Sequence, residues 1–517
     1  MIRETQRALE VCANALLFAL LFVCIAAVSQ TGAEARLSSE TSAGLDGDGG
    51  VSRGVAWGDI DNDGFPDLAV ANTDSGNVFL YRNVGGARFA RQRSSPVEIP
   101  RGNAQGVVFV DFDNDGWLDL YVTTEGAPNR LYRNDRSGNL QPIQMGTLTA
   151  STTASTQSCW ADIDSDGWLD VFIVNADYQD DVLYRNIDGR EFTPVTGPWI
   201  GKRNHGRSCA FGDPDGDGKP DLYVANAYVQ VGEGTRYASN YFYRNIGGGQ
   251  FEDVRAGEFV NAYGYSYGVS WFDYDQDGDE DLFVSNISRF EPNVLYENVD
   301  GRLFMPLWSS IVLRDIPGPV KGHVWADFDN DGDADLFVAE GHGGARPEHA
   351  PFDNVNRYYE FADGNFRVAD AGDAVKGERI SAGAAGADVD RDGDIDLFVA
   401  NWAGEDLNNQ FFRNEGGGNA IQLRLRGVQS NRMGVGAKVS IETGSGQSMR
   451  IQHRSLWLNM GYASMSEPII HFGLGGETTV RNVVVHWPSG KVDRHSALAA
   501  NALYELKEGS AQATRLR

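Results

Sequence analysis

The sequence predicts an all-β fold. It reads as a seven-bladed β-propeller of four-stranded blades, with an N-terminal strand closing blade seven and a small β-rich C-terminal domain behind it. Three observations carry this expectation. The pattern Asp-x-Asp-x-Asp-Gly-x-x-Asp occurs seven times with no position lost, beginning with Asp59-Ile-Asp61-Asn-Asp63-Gly64-Phe-Pro-Asp67. Successive copies start 52, 51, 51, 60, 54 and 61 residues apart, a period that belongs to propellers or solenoids. The units also hold four short runs of β-branched and aromatic residues between Gly/Asn/Asp clusters, three evident in the last unit, the mark of strands and turns.

The first element is a leader. Arg3 and Arg7 precede an apolar run from about Ala15 to Val28, followed by small residues at Ala26, Ala27, Ser29, Ala33 and Ala35. Residues 1–35 therefore read as a secretory signal peptide, or, left uncleaved, as a membrane anchor. No later segment is apolar and long enough to span a bilayer. Residues 35–45 follow, placed where a missing fourth strand would be.

Seven units then occupy residues 36–415 under one grammar. A run such as Gly268-Val-Ser-Trp-Phe272 leads into the acidic loop. A second follows it, as in Asp281-Leu-Phe-Val-Ser-Asn286, and a third reads Asn129-Arg-Leu-Tyr-Arg-Asn134 or Asn240-Tyr-Phe-Tyr-Arg-Asn245. A glycine turn opens the fourth, as in Gly301-Arg-Leu-Phe304. Unit seven lacks an evident fourth run before the sequence changes character at Glu415, so residues 35–45 are expected to supply it. Closure of this kind removes two open sheet edges.

The acidic loops carry the chemistry. Four carboxylates within nine residues repel one another unless a cation lies between them, and a hard divalent ion with oxygen ligands fits best. The expected ligands are Asp59, Asp61, Asp63 and Asp67 in the first loop and Asp111, Asp113, Asp115 and Asp119 in the second. The third has Asp162, Asp164, Asp166 and Asp170, and the fourth Asp213, Asp215, Asp217 and Asp221. The fifth has Asp273, Asp275, Asp277 and Asp281, and the sixth Asp327, Asp329, Asp331 and Asp335. The seventh has Asp388, Asp390, Asp392 and Asp396. Glycine at position 6 permits the sharp turn, and the varied residue at position 7 fits a ligand supplied by backbone. Calcium tolerates irregular geometry, whereas Mg²⁺ demands near-octahedral geometry and keeps its waters, so up to seven Ca²⁺ are expected. The bland alternative is a solvated acidic turn. The formal net charge of −28 gives an independent reason: seven divalent ions would halve it, and without them self-repulsion opposes the compact state.

Residues 420–508 form the second domain and 509–517 a tail. Residues 415–517 carry 12 Lys/Arg against 7 Asp/Glu, leaving −33 on residues 1–414, a shift that marks a boundary and suggests docking of one domain on the other. Gly434-Val-Gly436-Ala-Lys-Val439 lacks the third glycine and the helix of a nucleotide loop, so that reading is rejected.

With these residues in view, the repeats resemble FG-GAP/VCBS-type units, the calcium-loop blades also found in integrin α-subunit propellers. The C-terminal segment resembles the ASPIC/UnbV domain through Asn431-Arg-Met-Gly-Val-Gly-Ala437, Gly461-Tyr-Ala-Ser464, His471-Phe-Gly-Leu-Gly475 and Trp487-Pro-Ser-Gly490. A position often Gln in that family is Met465 here. Repeats followed by this domain resemble the cartilage acidic protein family and its bacterial relatives. The resemblance implies that each acidic loop joins the first and second strands of its blade, so that all seven line one face. It also implies an extracellular calcium-binding protein and names no reaction.

Cys12 and Cys24 lie in the leader. Cys159 and Cys209 precede acidic loops at nearly equivalent positions, and either a disulfide between blades three and four or two buried thiols fits the sequence. Three connections between second and third strands are long, at residues 226–240, 340–356 and 401–409. They bring Tyr228, Tyr237, His342, Arg346, His349 and Trp402 to the face opposite the acidic loops. Long loops on a rigid scaffold are where recognition sits, and solvated variable loops are the plainer alternative. The expected role is adhesion or binding of an extracellular protein or glycan, in a secreted, periplasmic or cell-surface location, with the membrane involved only through an uncleaved leader. The acidic propeller argues against nucleic acid. Eight scattered histidines and no Ser/His/Asp or HExxH pattern favour a non-enzyme, with no catalytic residue assigned. A polysaccharide-acting enzyme on this scaffold, or an assembly partner of another secreted protein, are the competing readings.

Overall fold

A computed structural model describes residues 34–45, 49–74, 76–98, 102–197, 200, 205–231, 234–261, 264–287, 292–314, 319–341, 354–403 and 408–517. The expected leader, 1–33, lies outside them. Among the described residues no helix is long and apolar enough to cross a membrane.

Residues up to Asn414 build seven four-stranded antiparallel sheets. Blade one runs Ser52–Gly58, Asp67–Asn72, Val78–Val84 and Arg88–Arg91, with the acidic loop joining the first two strands. The other first strands are Asn103–Val110, Thr152–Ala161, Gly206–Gly212, Ser266–Phe272, Val320–Ala326 and Ile380–Ala387. Blade seven is completed by Leu37–Ser39, where Leu37 pairs with Asn414 and Ser39 with Phe412, as the missing fourth run required.

The first strands pack side by side in a closed circuit from blade one to blade seven and back. Glycine makes the approach close enough: a Cβ on Gly383 would collide with the Arg53 carbonyl, and one on Gly322 with the Ala382 carbonyl. The first six residues of every second strand are buried, as in Asp67–Asn72 and Asp281–Asn286, because each sheet is covered on both faces by neighbouring blades. Between blades one and seven, Trp57 packs against Phe89, Phe398 and Phe411. Burying one such ring removes enough apolar area to contribute about 2–3 kcal/mol.

A second device ties blade to blade. The Asn closing the Tyr-Arg-Asn run points its amide at the previous blade's acidic loop. Asn134 Nδ2 donates to the Ile60 carbonyl at 2.7 Å, Asn186 to Phe112 at 2.8 Å, Asn245 to Ile163 at 2.8 Å and Asn298 to Pro214 at 2.8 Å. Asn414 reaches Phe328 at 2.7 Å, and Asn83 closes the ring onto Val389 at 2.9 Å. Blade six has Phe361 instead, packed edge-on against Tyr274 of blade five. An apolar contact replaces the hydrogen bond there.

Two features bind blades three and two more tightly to their neighbours. Cys159 and Cys209 form a disulfide between the first strands of blades three and four, which resolves the alternative left open by the sequence. Thr152–Ala161 also begins early enough for Thr152 to pair with Pro128 and Ala154 with Glu125, fusing blades two and three into one eight-stranded sheet.

The C-terminal domain consists of two four-stranded sheets. One orders Ile470–Gly475, Asn419–Arg426, Ala502–Lys507 and Ala513–Arg515; the other orders Arg450–Ser455, Lys438–Thr443, Thr479–His486 and Val492–Ala499. Their shared core includes Ile421, Leu423, Val439, Ile441, Phe472, Val483, Val485, Trp487 and Leu506. Residues 509–517, expected as a tail, contribute an edge strand at Ala513–Arg515 because the second-last strand offers them a free ladder, with Tyr504 opposite Arg515.

Between Ser455 and Ile470 the domain sends a segment into the ring of first strands. Met465 N–H donates to the Val55 carbonyl at 2.7 Å, and Trp57 N–H donates to the Met465 carbonyl at 3.1 Å. Gly461 N–H meets the Val269 carbonyl at 3.2 Å, Ser208 Oγ the Gly461 carbonyl at 3.0 Å, and Ala463 N–H the Gln157 side chain at 3.0 Å. One turn thus touches blades one, three, four and five. Tyr462 and Met465 are fully buried in it.

Candidate metal centres on the loop face

Each acidic loop is curled by its own carboxylates. The position-1 aspartate accepts the N–H groups of positions 5 and 6: Asp59 from Asp63 at 3.1 Å and Gly64 at 3.0 Å, Asp111 from Asp115 and Gly116, Asp162 from Asp166 and Gly167. The position-5 aspartate accepts the position-7 N–H in all seven loops, as in Asp115 from Trp117 at 2.9 Å. This is why position 7 tolerates Phe, Trp, Lys or Asp: only its backbone is used. The glycine at position 6 stands at positive φ in every loop, from 80° in Gly218 to 103° in Gly332. Position 4 is also left-handed, at Asn62, Asn114, Ser165, Gly216, Gln276, Asn330 and Arg391. Its frequent Asn was a signal the sequence reading passed over.

The position-9 aspartate does more than close the loop. Asp67 accepts Ile60 N–H at 3.0 Å and Asn83 N–H at 2.8 Å, and Asp170 accepts those of Ile163 and Asn186. It therefore pins the loop to the third strand of its blade. An arginine on that strand meets the position-3 carboxylate: Arg82 with Asp61 at 2.7 Å, Arg133 with Asp113 at 3.0 Å, Arg185 with Asp164 at 2.9 Å, Arg244 with Asp215 at 3.6 Å, and Arg413 with Asp390. Blades five and six carry Glu297 and Glu360 in that place.

The described residues contain seven groups of three or more metal-ligating side chains whose ligand atoms lie within 4.8 Å of one another. Five of these are Asp59/Asp61/Asp67, Asp111/Asp113/Asp115, Asp162/Asp164/Asp170, Asp213/Asp215/Asp217 and Asp273/Asp275/Asp281. Several of the oxygens are buried with no hydrogen bond, among them Asp113 Oδ1, Asp119 Oδ2, Asp164 Oδ1, Asp213 Oδ1, Asp221 Oδ2, Asp273 Oδ1 and Asp390 Oδ1. Buried polar atoms are normally partnered, and an oxygen-liganded cation supplies the partner. The donor set fits a hard divalent ion.

Burial and mutual repulsion raise the carboxyl groups of these loops. Asp111 is pushed up to about 7 by burial and then by Asp115 and Asp113, and Asp119 to about 9 by burial and the same neighbours. Asp162 and Asp388 rise to about 7 and Asp221 to about 8, burial leading in each. In loop five, burial raises Asp275, with Asp277 and Glu297 adding to it.

The loop face is covered by the C-terminal domain, which reaches every loop. Arg424 meets Asp59 at 3.3 Å, and Arg517 donates to the Asp63 carbonyl at 3.2 Å. Arg432 N–H donates to Asn114 at 2.8 Å, Gln429 abuts Gly167, and Lys438 meets Asp213 at 2.9 Å. His453 N–H reaches Gln276 at 2.8 Å, Arg450 meets Asp333 at 3.0 Å, and Gln422 donates to Asp388 at 2.7 Å. The charge shift in the sequence is thus a docking interface.

On the opposite side, strands Tyr228–Val231 and Gly234–Tyr237 pair antiparallel, with Tyr228 opposite Tyr237. Tyr228 stacks on His205 with ring centroids 4.2 Å apart. Trp402 lies beneath Lys321, whose Nζ is 3.3 Å from the ring centroid. His342, Arg346 and His349 fall outside the described residues. Sequence reasoning missed Lys321, Arg53 and Arg207, which gather with Trp402 and Tyr267.

Comparison with known proteins agrees with this architecture. A family model described as an FG-GAP-like repeat matches residues 59–122, 111–173, 162–224, 228–284 and 327–399, more than half of the chain. A second, described as ASPIC and UnbV, matches residues 427–513. The chain is 27% identical to cartilage acidic protein 1 of Mus musculus over 487 residues, covering 86% of this chain and 71% of that protein. It is 27% identical to the Homo sapiens protein of the same name, covering 69% of it. Among solved structures it is similar to BBS1N, crystallised in complex with ARL6DN, with TM-score 0.43 and 11% identity, covering 73% of this chain and 97% of that one. That last likeness is too loose to carry any inference about this chain.

Proposed function

The chain belongs to the FG-GAP-like repeat family, and from that premise we propose that it is an extracellular adhesion-type module whose loops bind calcium and whose opposite face recognises a protein or glycan. The observation that carries this reading is the division of labour between the two faces. Loops two, three, four, five and seven hold buried carboxylate oxygens without hydrogen-bond partners, and the C-terminal domain covers the loops, so an ion there is shielded and serves the architecture. The other face carries the long connections and the aromatic side chains Tyr228 and Trp402. Calcium is preferred over Mg²⁺ because the loops offer crowded oxygens in irregular geometry.

The test has two parts. Calcium titration of the metal-stripped protein, followed calorimetrically, should show several sites per chain with magnesium unable to replace them. Protein and glycan arrays probed with the calcium-loaded protein should give ligands whose binding is lost on substituting Trp402 or Tyr228 and kept on substituting exposed residues of the C-terminal domain. Absence of calcium binding would remove the first half of the proposal. Ligands that map to the C-terminal domain would remove the second.

A further inference from the structure

Each first strand places one residue six positions before its acidic loop, at the end of the channel away from the loops. Three of these are cations: Arg53, Arg207 and Lys321. In a segment with a charge balance of −33, the three converge, and none of them forms an ion pair with a described residue. Lys321 is 6% exposed, and its Nζ makes no hydrogen bond and no ion pair with any described residue. Arg53 lies over the same Trp402 ring at 5.7 Å, and Arg207 over Tyr267 at 4.7 Å. Tyr267 packs on Tyr462 of the plugging turn at 5.3 Å, so the turn floors the cluster.

Four free donors gather in this cluster. The Nε atoms of Arg53 and Arg207 and Nε1 of Trp402 are buried and unpartnered, like Lys321 Nζ. Arg53 spends another nitrogen on Gln105 Oε1 at 2.8 Å, and Gln105 in turn donates to Glu125, whose charge is felt by Arg53 without an ion pair between them. Leaving a buried charge unpaired is costly, and gathering like charges in low dielectric adds to it. Four donors with no acceptor, three of them on cations, describe half of an anion site. Arginine forks and an ammonium match the several lone pairs of an oxyanion.

We propose that this channel mouth binds an oxyanion group, a sulfate, phosphate or carboxylate, taken up free or on the end of an acidic saccharide. Burial, and then the charges of Arg53 and Arg207, hold the Lys321 ammonium well below the usual lysine range; a bound oxyanion reverses both effects. The aromatic surfaces beside the cations suit a sugar ring. This deepens the recognition reading above but does not depend on it: a free anion could bind here even if no glycan or protein did.

The experiment is thermal unfolding of the full chain in calcium, titrated with sodium sulfate against sodium chloride of equal ionic strength, then with a sulfated disaccharide. Saturable stabilisation by sulfate is expected, with the apparent affinity at least tenfold weaker in Lys321→Met and in Arg207→Gln. Without sulfate, Lys321→Met should melt at or above the native protein, since an apolar side chain replaces an unpaired ammonium. Tighter binding of the disaccharide than of sulfate identifies a carbohydrate receptor, and equal or weaker binding a site for the free ion. No saturable effect beyond chloride, or an unchanged affinity in Lys321→Met, overturns the proposal. Should that variant fail to fold, Arg207→Gln, on a half-buried side chain, decides alone.

Discussion

The two ends of the same seven strands differ in how they use repetition. At the loop end, one aspartate pattern recurs in every blade and makes similar backbone hydrogen bonds each time. At the other end the equivalent positions hold Arg53, Gln105, Thr156, Arg207, Tyr267, Lys321 and Ala382, with no two of the three cations on adjacent blades. A position that serves the ring is held to one chemistry by geometry common to all blades. A position that faces the channel axis is free to differ, and seven different residues can compose one asymmetric site.

The largest test of this contrast is metal removal. Chelation in the presence of magnesium should lower Tm by more than about 10 °C, with calcium alone restoring it, because ions that bind only the folded loops stabilise by mass action. A small shift would make the loop end no more structural than the channel mouth. Next comes the turn that joins the two ends. Tyr462→Ala should cost about 3–5 kcal/mol in chemical denaturation, the range for deleting a buried aromatic ring. It should also loosen Arg53, whose guanidinium sits 3.4 Å from the Tyr462 hydroxyl.

A smaller effect is expected at the latches between blades. Asn186 donates to Phe112 and Leu169 and accepts from Gly189, so Asn186→Ala should cost about 2 kcal/mol through orphaned buried partners. The converse substitution, Phe361→Asn, should not gain this, since blade six already packs an aromatic ring there. The smallest effect concerns variation within the repeated end. Glu297→Arg places in blade five the cation that five other blades carry, and should weaken one calcium site about tenfold in a calorimetric titration while leaving the others unchanged. A uniform change across all sites would mean the loops act as one electrostatic unit.

Much of this was legible beforehand because the repeated features are local. Asp59 through Asp67 and their six counterparts state the loop chemistry within nine residues, and Gly64 and its counterparts state the turn. The absence of a fourth run after Asn414 pointed to residues 35–45, and Leu37–Ser39 is the strand that fills the gap. What escaped depended on partners distant in sequence. Gly461-Tyr-Ala-Ser464 could be matched to a family motif, yet nothing in it says that it enters a channel lined by blades one, three, four and five. Asn134 and its equivalents looked like strand ends; their bonds to the preceding blade run across 74 to 86 residues, and across 306 where Asn83 closes the ring. Cys159 and Cys209 allowed two outcomes until two first strands came side by side.

The sequence by itself determined the unit, its number of copies, the clustered carboxylates of each loop and the break in charge at the second domain, because each is written in contiguous residues and in the period between them. Only the tertiary structure decided where that second domain sits, what plugs the channel, and that Arg53, Arg207 and Lys321 share one place. These three are more than a hundred residues apart, and it is the closure of the ring that turns scattered cations into neighbours.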